Sequence, residues 1–205
     1  MTRKRAKLRL GVLASHTGST LQAVLDACAD GRIAAAVAVV IGNNSEARAL
    51  ERARAADVPA IHLSSHTHPI EAELDAAIAA ALAAQRVDVV LLAGYMRKLG
   101  QRVLEQFAGR ILNTHPALLP KFGGRGMYGR RVHEAVVAAG DRQSGASVHW
   151  VDADYDTGRV IDRRTVPVLP DDTAAALEER VQRAEKELLI DVLGRLAAGT
   201  LDRGA

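Results

Sequence analysis

The chain has 205 residues, of which 48% are hydrophobic, 25% are charged and only 3% are aromatic. These proportions exclude a disordered or fibrous chain and predict one globular domain whose core consists of aliphatic side chains. The formal net charge is +3, and much of the excess lies in residues 2–7, ahead of the first apolar segment. Because charge runs at chain ends are usually solvated, we expect a basic tail over residues 1–6 and no nucleic-acid partner.

The cysteine content and the hydropathy indicate the compartment. Cys28 is the only cysteine, so an intrachain disulfide is excluded and nothing favours an oxidising compartment. No apolar stretch reaches the roughly 20 residues that span a bilayer, and the basic start precedes a strand-like segment instead of a signal peptide. We therefore expect a cytoplasmic protein without a membrane partner, either a monomer or a homodimer.

Apolar runs rich in Val, Leu and Ile alternate along the chain with amphipathic, alanine-rich stretches. This alternation is typical of βαβ units, which form a parallel sheet covered by helices on both faces. The predicted elements are, in chain order, a strand over 7–14, a helix over 21–29, a strand over 36–41, a helix over 45–56, a strand over 58–63, a helix over 69–85, a strand over 87–93, a helix over 99–107, a strand over 110–114, a helix over 131–139, strands over 146–152 and 160–168, and a helix over 172–198. We expect an α/β fold with a doubly wound, mostly parallel sheet, in a single domain over residues 1–205 that ends in a tail over 199–205.

A doubly wound sheet binds ligands beyond the carboxyl ends of its strands, so the loops after Ala14, Ala93 and Thr114 are the candidate sites. After the first of these, Gly18, Ser19 and Thr20 lead into a helix. The glycine admits close approach of a phosphate, and the unpaired N–H groups of a first helical turn suit an anion. The segment has neither the lysine of a P-loop nor a dinucleotide fingerprint. We predict a phosphate-monoester site, and the alternative is an ordinary turn in which Ser and Thr cap the helix.

Polar side chains also end the strand predicted over residues 110–114. Strand alternation places Asn113 and His115 on one face of this segment. The carboxamide can donate to an oxyanion, and the imidazole can transfer a proton near neutral pH. An acyl transfer needs both functions. The alternative is that both side chains only satisfy backbone groups at a strand end.

An acidic loop over residues 152–158 connects the last two predicted strands. It contains Asp152, Asp154 and Asp156, and a carboxylate from this loop could orient the imidazole and stabilise its protonated form. The spacing alone does not choose among the three aspartates.

Three histidines, at positions 62, 66 and 68, lie within seven residues and raise the question of a metal site. No cysteine and no fixed helical spacing accompanies them, so we interpret them as loop histidines and expect no metal.

Four motifs occur in order along essentially the whole chain. They are Ser-His-Thr-Gly-Ser-Thr-Leu-Gln-Ala from position 15, Leu-Ala-Gly-Tyr-Met-Arg from position 92, Asn-Thr-His-Pro-Ala-Leu-Leu-Pro from position 113, and Ser-Val-His at 147 with Asp-Thr-Gly at 156. Together they resemble the folate-dependent formyltransferases. The resemblance implies a Rossmann-like fold and, within the family, the transfer of a formyl group to glycinamide ribonucleotide in purine biosynthesis.

The resemblance also implies a role for each matching position. The amine of glycinamide ribonucleotide would attack the formyl carbon of the co-substrate 10-formyltetrahydrofolate, while Asn113 and His115 hold the formyl oxygen. His115 would donate the proton, and Asp156 would raise the pKa of that histidine. The remaining positions are Gly18, Ser19 and Thr20 for the substrate phosphate, Gln182 and Glu185 for other parts of the substrate, and Met96, Arg97, Lys98, Leu99, Asp152 and Asp154 for the folate.

The sequence departs from the common family pattern in several places. Thr20 stands where asparagine is usual, and Ala117 replaces a serine. The loop over residues 121–129 is longer than usual, and no arginine lies near Pro69, where the family often has a substrate contact. One of the arginines at positions 125, 130 and 131 is a hypothetical substitute for that contact.

Three alternative functions share parts of these motifs. A formyltetrahydrofolate deformylase uses water as the acceptor, and a methionyl-tRNA formyltransferase uses an aminoacyl-tRNA; both usually carry an additional domain, so the length of this chain favours neither. A non-catalytic sensor of phosphorylated ligands would use the loop at Gly18 but has no need for Asn113, His115 and Asp156 together.

Overall fold

A computed structural model describes residues 6–202 and places seven strands in one sheet, flanked by six helices within that range. In chain order the elements are β1 (Leu8–Ala14), α1 (Ser19–Ala29), β2 (Ala35–Gly42), α2 (Arg48–Ala55), β3 (Ala60–His62), α3 (Glu71–Ala84), β4 (Val89–Leu92), α4 (Gln101–Gln106), β5 (Ile111–His115), α5 (Arg130–Ala138), β6 (Gln143–Trp150), β7 (Val160–Pro167) and α6 (Ala174–Ala198).

The strand order is β3-β2-β1-β4-β5-β6-β7, and the strands from β1 to β5 pair in parallel. The chain changes direction of winding between β1 and β4, which is the switch point where such sheets bind ligands. β6 and β7 are antiparallel to their neighbours. Their connection is too short for a crossover helix, so the last two strands form a hairpin. The predicted doubly wound, mostly parallel sheet is confirmed.

Two apolar layers cover the two faces of the sheet. The alternation along β1 separates them, because Leu10 and Val12 point into one layer and Leu13 into the other. The first layer contains buried side chains of α1, α2, α5 and α6, and the second contains those of α3 and α4. Both faces of the sheet are therefore buried, as expected for parallel strands with near-continuous apolar sequence.

Helix α6 is the longest element and carries two of the predicted substrate residues. Its apolar positions recur every three or four residues, so that Leu177, Val181 and Leu188 are buried on one face. The hydroxyl of Thr173 caps its start by accepting from the N–H of Ala176, and Gly199 ends it in a left-handed conformation.

Element bounds differ from the prediction where local hydrogen bonds intervene. Helix α2 begins three residues later than predicted, because Asn44 accepts from the N–H of Glu46 and forms a turn there. Helix α1 begins two residues earlier, at Ser19, since Gly18 adopts a left-handed φ of 68° and starts the helix directly. Strand β3 is reduced to three residues at the edge of the sheet.

The predicted tails lie mostly beyond what the structure describes. Of the basic tail over 1–6, residues 1–5 lie outside the described residues, as do residues 203–205 of the C-terminal tail. Within residues 6–202, no helix combines the length and the apolar character needed to cross a membrane.

Two backbone segments approach each other closely at Gly158, so a larger residue there should lower stability. At Gly158, an added Cβ would overlap the carbonyl oxygen of Trp150. We expect Gly158→Ala to lower the free energy of unfolding by about 1–3 kcal/mol, because neither backbone segment can yield without disturbing the β6–β7 pairing. Urea unfolding followed by circular dichroism measures the change.

The matched control is Gly194→Ala, in the interior of α6, where the nearest atom would lie 3.7 Å from the new Cβ. This change should raise the free energy of unfolding by about 0.5–1 kcal/mol, since alanine is the better helix former. Equal effects of the two substitutions would contradict the proposed close approach at Gly158.

Candidate active site

The site begins with the pairing of two antiparallel strands. Asn113 on β5 lies opposite His149 on β6, and His115 lies opposite Ser147. The alternation predicted for β5 therefore holds, with Asn113 and His115 on one face. The Nδ2 atom of Asn113 is 3.1 Å from Nε2 of His149. The hydroxyl of Ser147 donates to the carbonyl of Ala117 and so fixes the turn that follows the strand.

His115 is 3% exposed and is held through both ring nitrogens. Its Nε2 atom lies 2.7 Å from the carbonyl oxygen of Phe122, and its Nδ1 atom lies 3.4 Å from Oδ2 of Asp156. A carbonyl can only accept, so Nε2 carries a proton in this arrangement. An ionised carboxylate also only accepts, so the second contact is favourable when Nδ1 is protonated as well. Both ring nitrogens of His115 thus face acceptor oxygens, and these contacts stabilise the protonated ring against the opposing effect of burial.

Asp156 is the aspartate of the acidic loop that contacts this histidine. Its Oδ2 accepts from the backbone N–H of Gly124 at 2.9 Å, and its Oδ1 lies 3.5 Å from both Nε2 of His149 and Nδ2 of Asn113. The residue has a left-handed φ of 57°, a conformation that aspartate tolerates better than most residues. One carboxylate therefore links Asn113, His115 and His149.

Burial and neighbouring charges have opposite effects on the pKa values of His115 and Asp156. Burial lowers the pKa of His115 below its usual value, while the Asp156 carboxylate and the Phe122 carbonyl act in the other direction. The expected contribution of Asp156 thus has the predicted sign, but burial outweighs it. Burial alone would raise the pKa of Asp156, but the contacts with His149, His115 and Gly124 together lower it.

His149 is a site residue that the sequence did not single out beyond its motif. It is 2% exposed, and its Nδ1 atom lies 2.9 Å from the carbonyl oxygen of Trp150. Its other ring nitrogen faces Asn113 and Asp156. The signal that would have found it is the register of β5 against β6, which the sequence alone does not define.

A cavity of about 720 Å³ opens beside these residues. Its lining combines the predicted phosphate loop with the polar end of β5 and with one face of α6. The predicted residues that line it are Gly18, Ser19, Thr20, Met96, Arg97, Asn113, His115, Asp156, Gln182 and Glu185. The residues predicted for phosphate binding, for catalysis and for other substrate contacts therefore lie around one cavity.

The phosphate loop leaves its backbone donors available. The first turn of α1 has no side-chain cap, so the alternative in which Ser and Thr cap the helix is not what the structure shows. Arg52 donates to the carbonyl oxygen of Thr17 at 2.9 Å and thereby places a cation beside the loop. The hydroxyl of Ser15 accepts from the N–H of Met96 and ties the loop after β1 to the loop after β4.

A second, smaller pocket of about 90 Å³ adjoins Asn113 and His149. Residues from the loop after β4 form one side of it, and the acidic loop forms the other. The predicted folate residues that line it are Arg97, Lys98, Leu99, Asp152 and Asp154. Met96, predicted with them, lines the larger cavity instead. Lys98 lies 3.8 Å from Asp154 and its ammonium lies 5.7 Å from the ring centre of Tyr155.

Helix α6 supplies the acidic side of the larger cavity. Glu185 accepts from the hydroxyl of Thr114 at 2.7 Å, and burial raises the pKa of this carboxyl. Arg125 and Arg131 line the cavity, whereas Arg130 forms a 3.0 Å ion pair with Glu178. Among the three arginines considered as substitutes for the missing contact, Arg130 therefore already has a partner.

Within residues 6–202, no group of three or more His, Cys, Asp and Glu side chains is arranged to hold a metal ion. The histidine-rich connection instead forms a local turn, in which Nδ1 of His68 lies 3.0 Å from the hydroxyl of Thr67.

An amide donor and a buried imidazole–carboxylate pair that face one cavity define a site of the acyl-transfer type. Comparison with known proteins gives the family. Residues 8–193 match the formyl transferase family model, and the chain belongs to this family. The resemblance noted in the sequence is thereby confirmed.

Named relatives and solved structures agree with this assignment. The phosphoribosylglycinamide formyltransferase of Mycobacterium tuberculosis is 45% identical over 94% of this chain and 86% of its own length. The chloroplastic enzyme of that name from Arabidopsis thaliana is 35% identical over 92% of this chain, which spans 65% of that protein's length. The crystal structure of glycinamide ribonucleotide transformylase 1 from Symbiobacterium toebii is 40% identical, with a TM-score of 0.91 over 98% of this chain and 93% of the other.

The contact between Asp156 and His115 generates a prediction about protonation. Because the carboxylate raises the pKa of His115, we expect Asp156→Asn to lower that pKa further, so that the imidazole remains neutral to a more acidic pH. Titration of the labelled imidazole nitrogens by NMR measures the shift.

Asp154→Asn is the control, since the side chain of Asp154 lies in the same loop but is 80% exposed. It should leave the titration of His115 unchanged. A rise in the pKa of His115 in the Asp156 variant would refute this view of the pair.

Proposed function

We propose that this protein transfers the formyl group of 10-formyltetrahydrofolate to the amine of N1-(5-phospho-D-ribosyl)glycinamide, glycinamide ribonucleotide, in de novo purine (IMP) biosynthesis. Family membership and the activity named for relatives that are 35–45% identical support the proposal. The observation that carries it is the convergence of Asn113, His115 and Asp156 on a cavity that also contains an uncapped helix start suited to phosphate.

The reaction joins an amine nitrogen to the formyl carbon and breaks the bond from that carbon to N10 of the folate. Attack places negative charge on the formyl oxygen, and the Nδ2 group of Asn113 is the donor available to stabilise it. One well-placed oxyanion donor contributes about 3 kcal/mol to catalysis. In the free protein this group faces His149, so binding of the formyl group replaces one hydrogen bond with another.

His115 moves the proton that the reaction displaces. Since burial lowers its pKa, the imidazole is largely neutral at pH 7 and can accept a proton from the attacking amine. The resulting imidazolium is stabilised by Asp156 and by the Phe122 carbonyl, and it then protonates the departing N10. The proton thus passes from one nitrogen to the other without net change in the enzyme.

We assign the phosphate of the ribonucleotide and the folate to the two spaces beside the site. The phosphate monoester binds the N–H groups at the start of α1, where the helix dipole favours an anion, together with the hydroxyls of Ser19 and Thr20. The folate binds in the smaller pocket between Arg97 and the acidic loop. For this small-molecule chemistry we propose one catalytic domain over residues 1–205, active in the cytoplasm without a metal, as a monomer or a homodimer.

A formyl-transfer assay with and without glycinamide ribonucleotide tests the function. We expect folate product only when the ribonucleotide is present, and His115→Ala should lower kcat/KM by about 10²- to 10⁴-fold because proton transfer is lost. His66→Ala is the matched control, since His66 is an exposed loop histidine.

Equal release of formate with or without the ribonucleotide would identify water as the acceptor and replace the proposal with a deformylase. No turnover with either acceptor would refute both. Retention of full activity in the His115 variant would refute the assigned proton transfer alone.

The arginines near the cavity generate a second prediction. Arg125→Ala should raise KM for the ribonucleotide about tenfold to a hundredfold, since it removes a charged donor from the cavity wall. Arg130→Ala should leave that KM nearly unchanged, because its guanidinium is paired with Glu178. The reverse pattern would assign the contact to Arg130.

A further inference from the structure

His133, on helix α5, is a buried histidine that the proposed mechanism does not use. It is 1% exposed, yet it belongs to the lining of the larger cavity. Its Nδ1 atom has no hydrogen-bond partner among the described residues. The neighbouring buried positions on the same helix, Val132 and Val136, are apolar.

An unpartnered ring nitrogen is unfavourable in this position. A neutral imidazole has one donor and one acceptor nitrogen, so Nδ1 lacks a partner in either tautomer. Burying such an atom lowers stability, and an apolar side chain of similar size would avoid that loss. A buried polar atom that is left without a partner beside a cavity is expected to bind a ligand.

Within residues 6–202, the surroundings leave Nδ1 of His133 without a hydrogen-bond partner and disfavour a charge on the ring. Burial lowers the pKa of His133, Glu178 opposes that shift, and His115 and Arg130 add to it. The Glu178 carboxylate is already bonded, through Oε2 to Arg130 at 3.0 Å and through Oε1 to Gln182 at 3.2 Å. Glu178 therefore does not bond to His133, and a largely neutral imidazole lies in the cavity wall.

We propose that His133 is a specificity-determining residue for the acceptor substrate, whose glycinamide portion it recognises by a hydrogen bond to Nδ1. This inference rests on the proposed function. Two arguments favour the glycinamide portion over the phosphate. His133 and His115 line the same cavity, and His115 is where the amine reacts. A neutral imidazole also suits an uncharged amide better than a phosphate anion.

Steady-state kinetics with His133→Leu and His133→Asn test the proposal. Leucine removes the polar atom, whereas asparagine keeps a polar group near the position of Nδ1. We expect His133→Leu to raise KM for glycinamide ribonucleotide about tenfold to a hundredfold, with little change in kcat or in KM for the folate. His133→Asn should recover part of the affinity. Glu134→Gln, an exposed change on the same helix, is the control.

Binding measurements locate the contact. Calorimetric titration with glycinamide ribonucleotide and with ribose 5-phosphate, which lacks the glycinamide portion, should show weaker binding of the first ligand alone in His133→Leu. Equal weakening of both ligands would place the contact on the sugar phosphate and overturn the assignment to glycinamide.

Thermal unfolding separates recognition from a structural role. If Nδ1 serves only a ligand, the Tm of ligand-free His133→Leu should equal or exceed that of the wild type. A lower Tm with unchanged KM would show that His133 is a structural residue and would overturn the proposal. Absence of ribonucleotide binding by the wild type would overturn the proposed function as well, whereas normal wild-type turnover with unaffected variants would overturn this inference alone.

Discussion

The contact between Asp156 and the buried imidazole of His115 is the interaction on which the rest of the site depends. Burial opposes charge on the imidazole, and the carboxylate opposes burial, so the proton is held loosely enough to be accepted and returned. Without the carboxylate, a nearly fully buried histidine would be a poor base. Without the burial, the imidazolium would be stable in water and the neutral form less available at neutral pH. The balance of these two effects is what the surrounding fold maintains.

The fold maintains this balance through groups from three separate segments. Strand β5 fixes His115, the loop that follows supplies the Phe122 carbonyl and the Gly124 N–H, and the connection from β6 to β7 supplies Asp156. Because β6 runs antiparallel to β5, it ends with Trp150 opposite Leu112, beside the beginning of β5. The connection therefore starts there, where the N–H of Val151 donates to the carbonyl oxygen of Ile111. Asp156, further along the connection, reaches Asn113 and His115, so the connection itself brings the carboxylate to the histidine.

The sequence predicts the parts of this arrangement that follow from local periodicity. Strand alternation placed Asn113 and His115 on one face, and the Val-, Leu- and Ile-rich runs predicted a doubly wound sheet. The role of His149 did not follow, because it depends on which residue of β6 lies opposite Asn113. The carbonyl of Phe122 did not follow either, since a backbone group has no sequence signature. Spacing left three aspartates open, and the choice of Asp156 came from the resemblance to a family.

Three departures from local preference lie at or beside the site. Phe122 and Asp156 both adopt a left-handed φ, and both contact His115. His133 buries an unpartnered nitrogen on the wall of the same cavity. Each departure lowers stability locally, and the two apolar layers over the sheet offset that loss. Since such departures persist only where the surrounding structure enforces them, the left-handed backbone at Phe122 and Asp156 is part of what holds His115 in place. His133 belongs with the site because it lines the same cavity as His115.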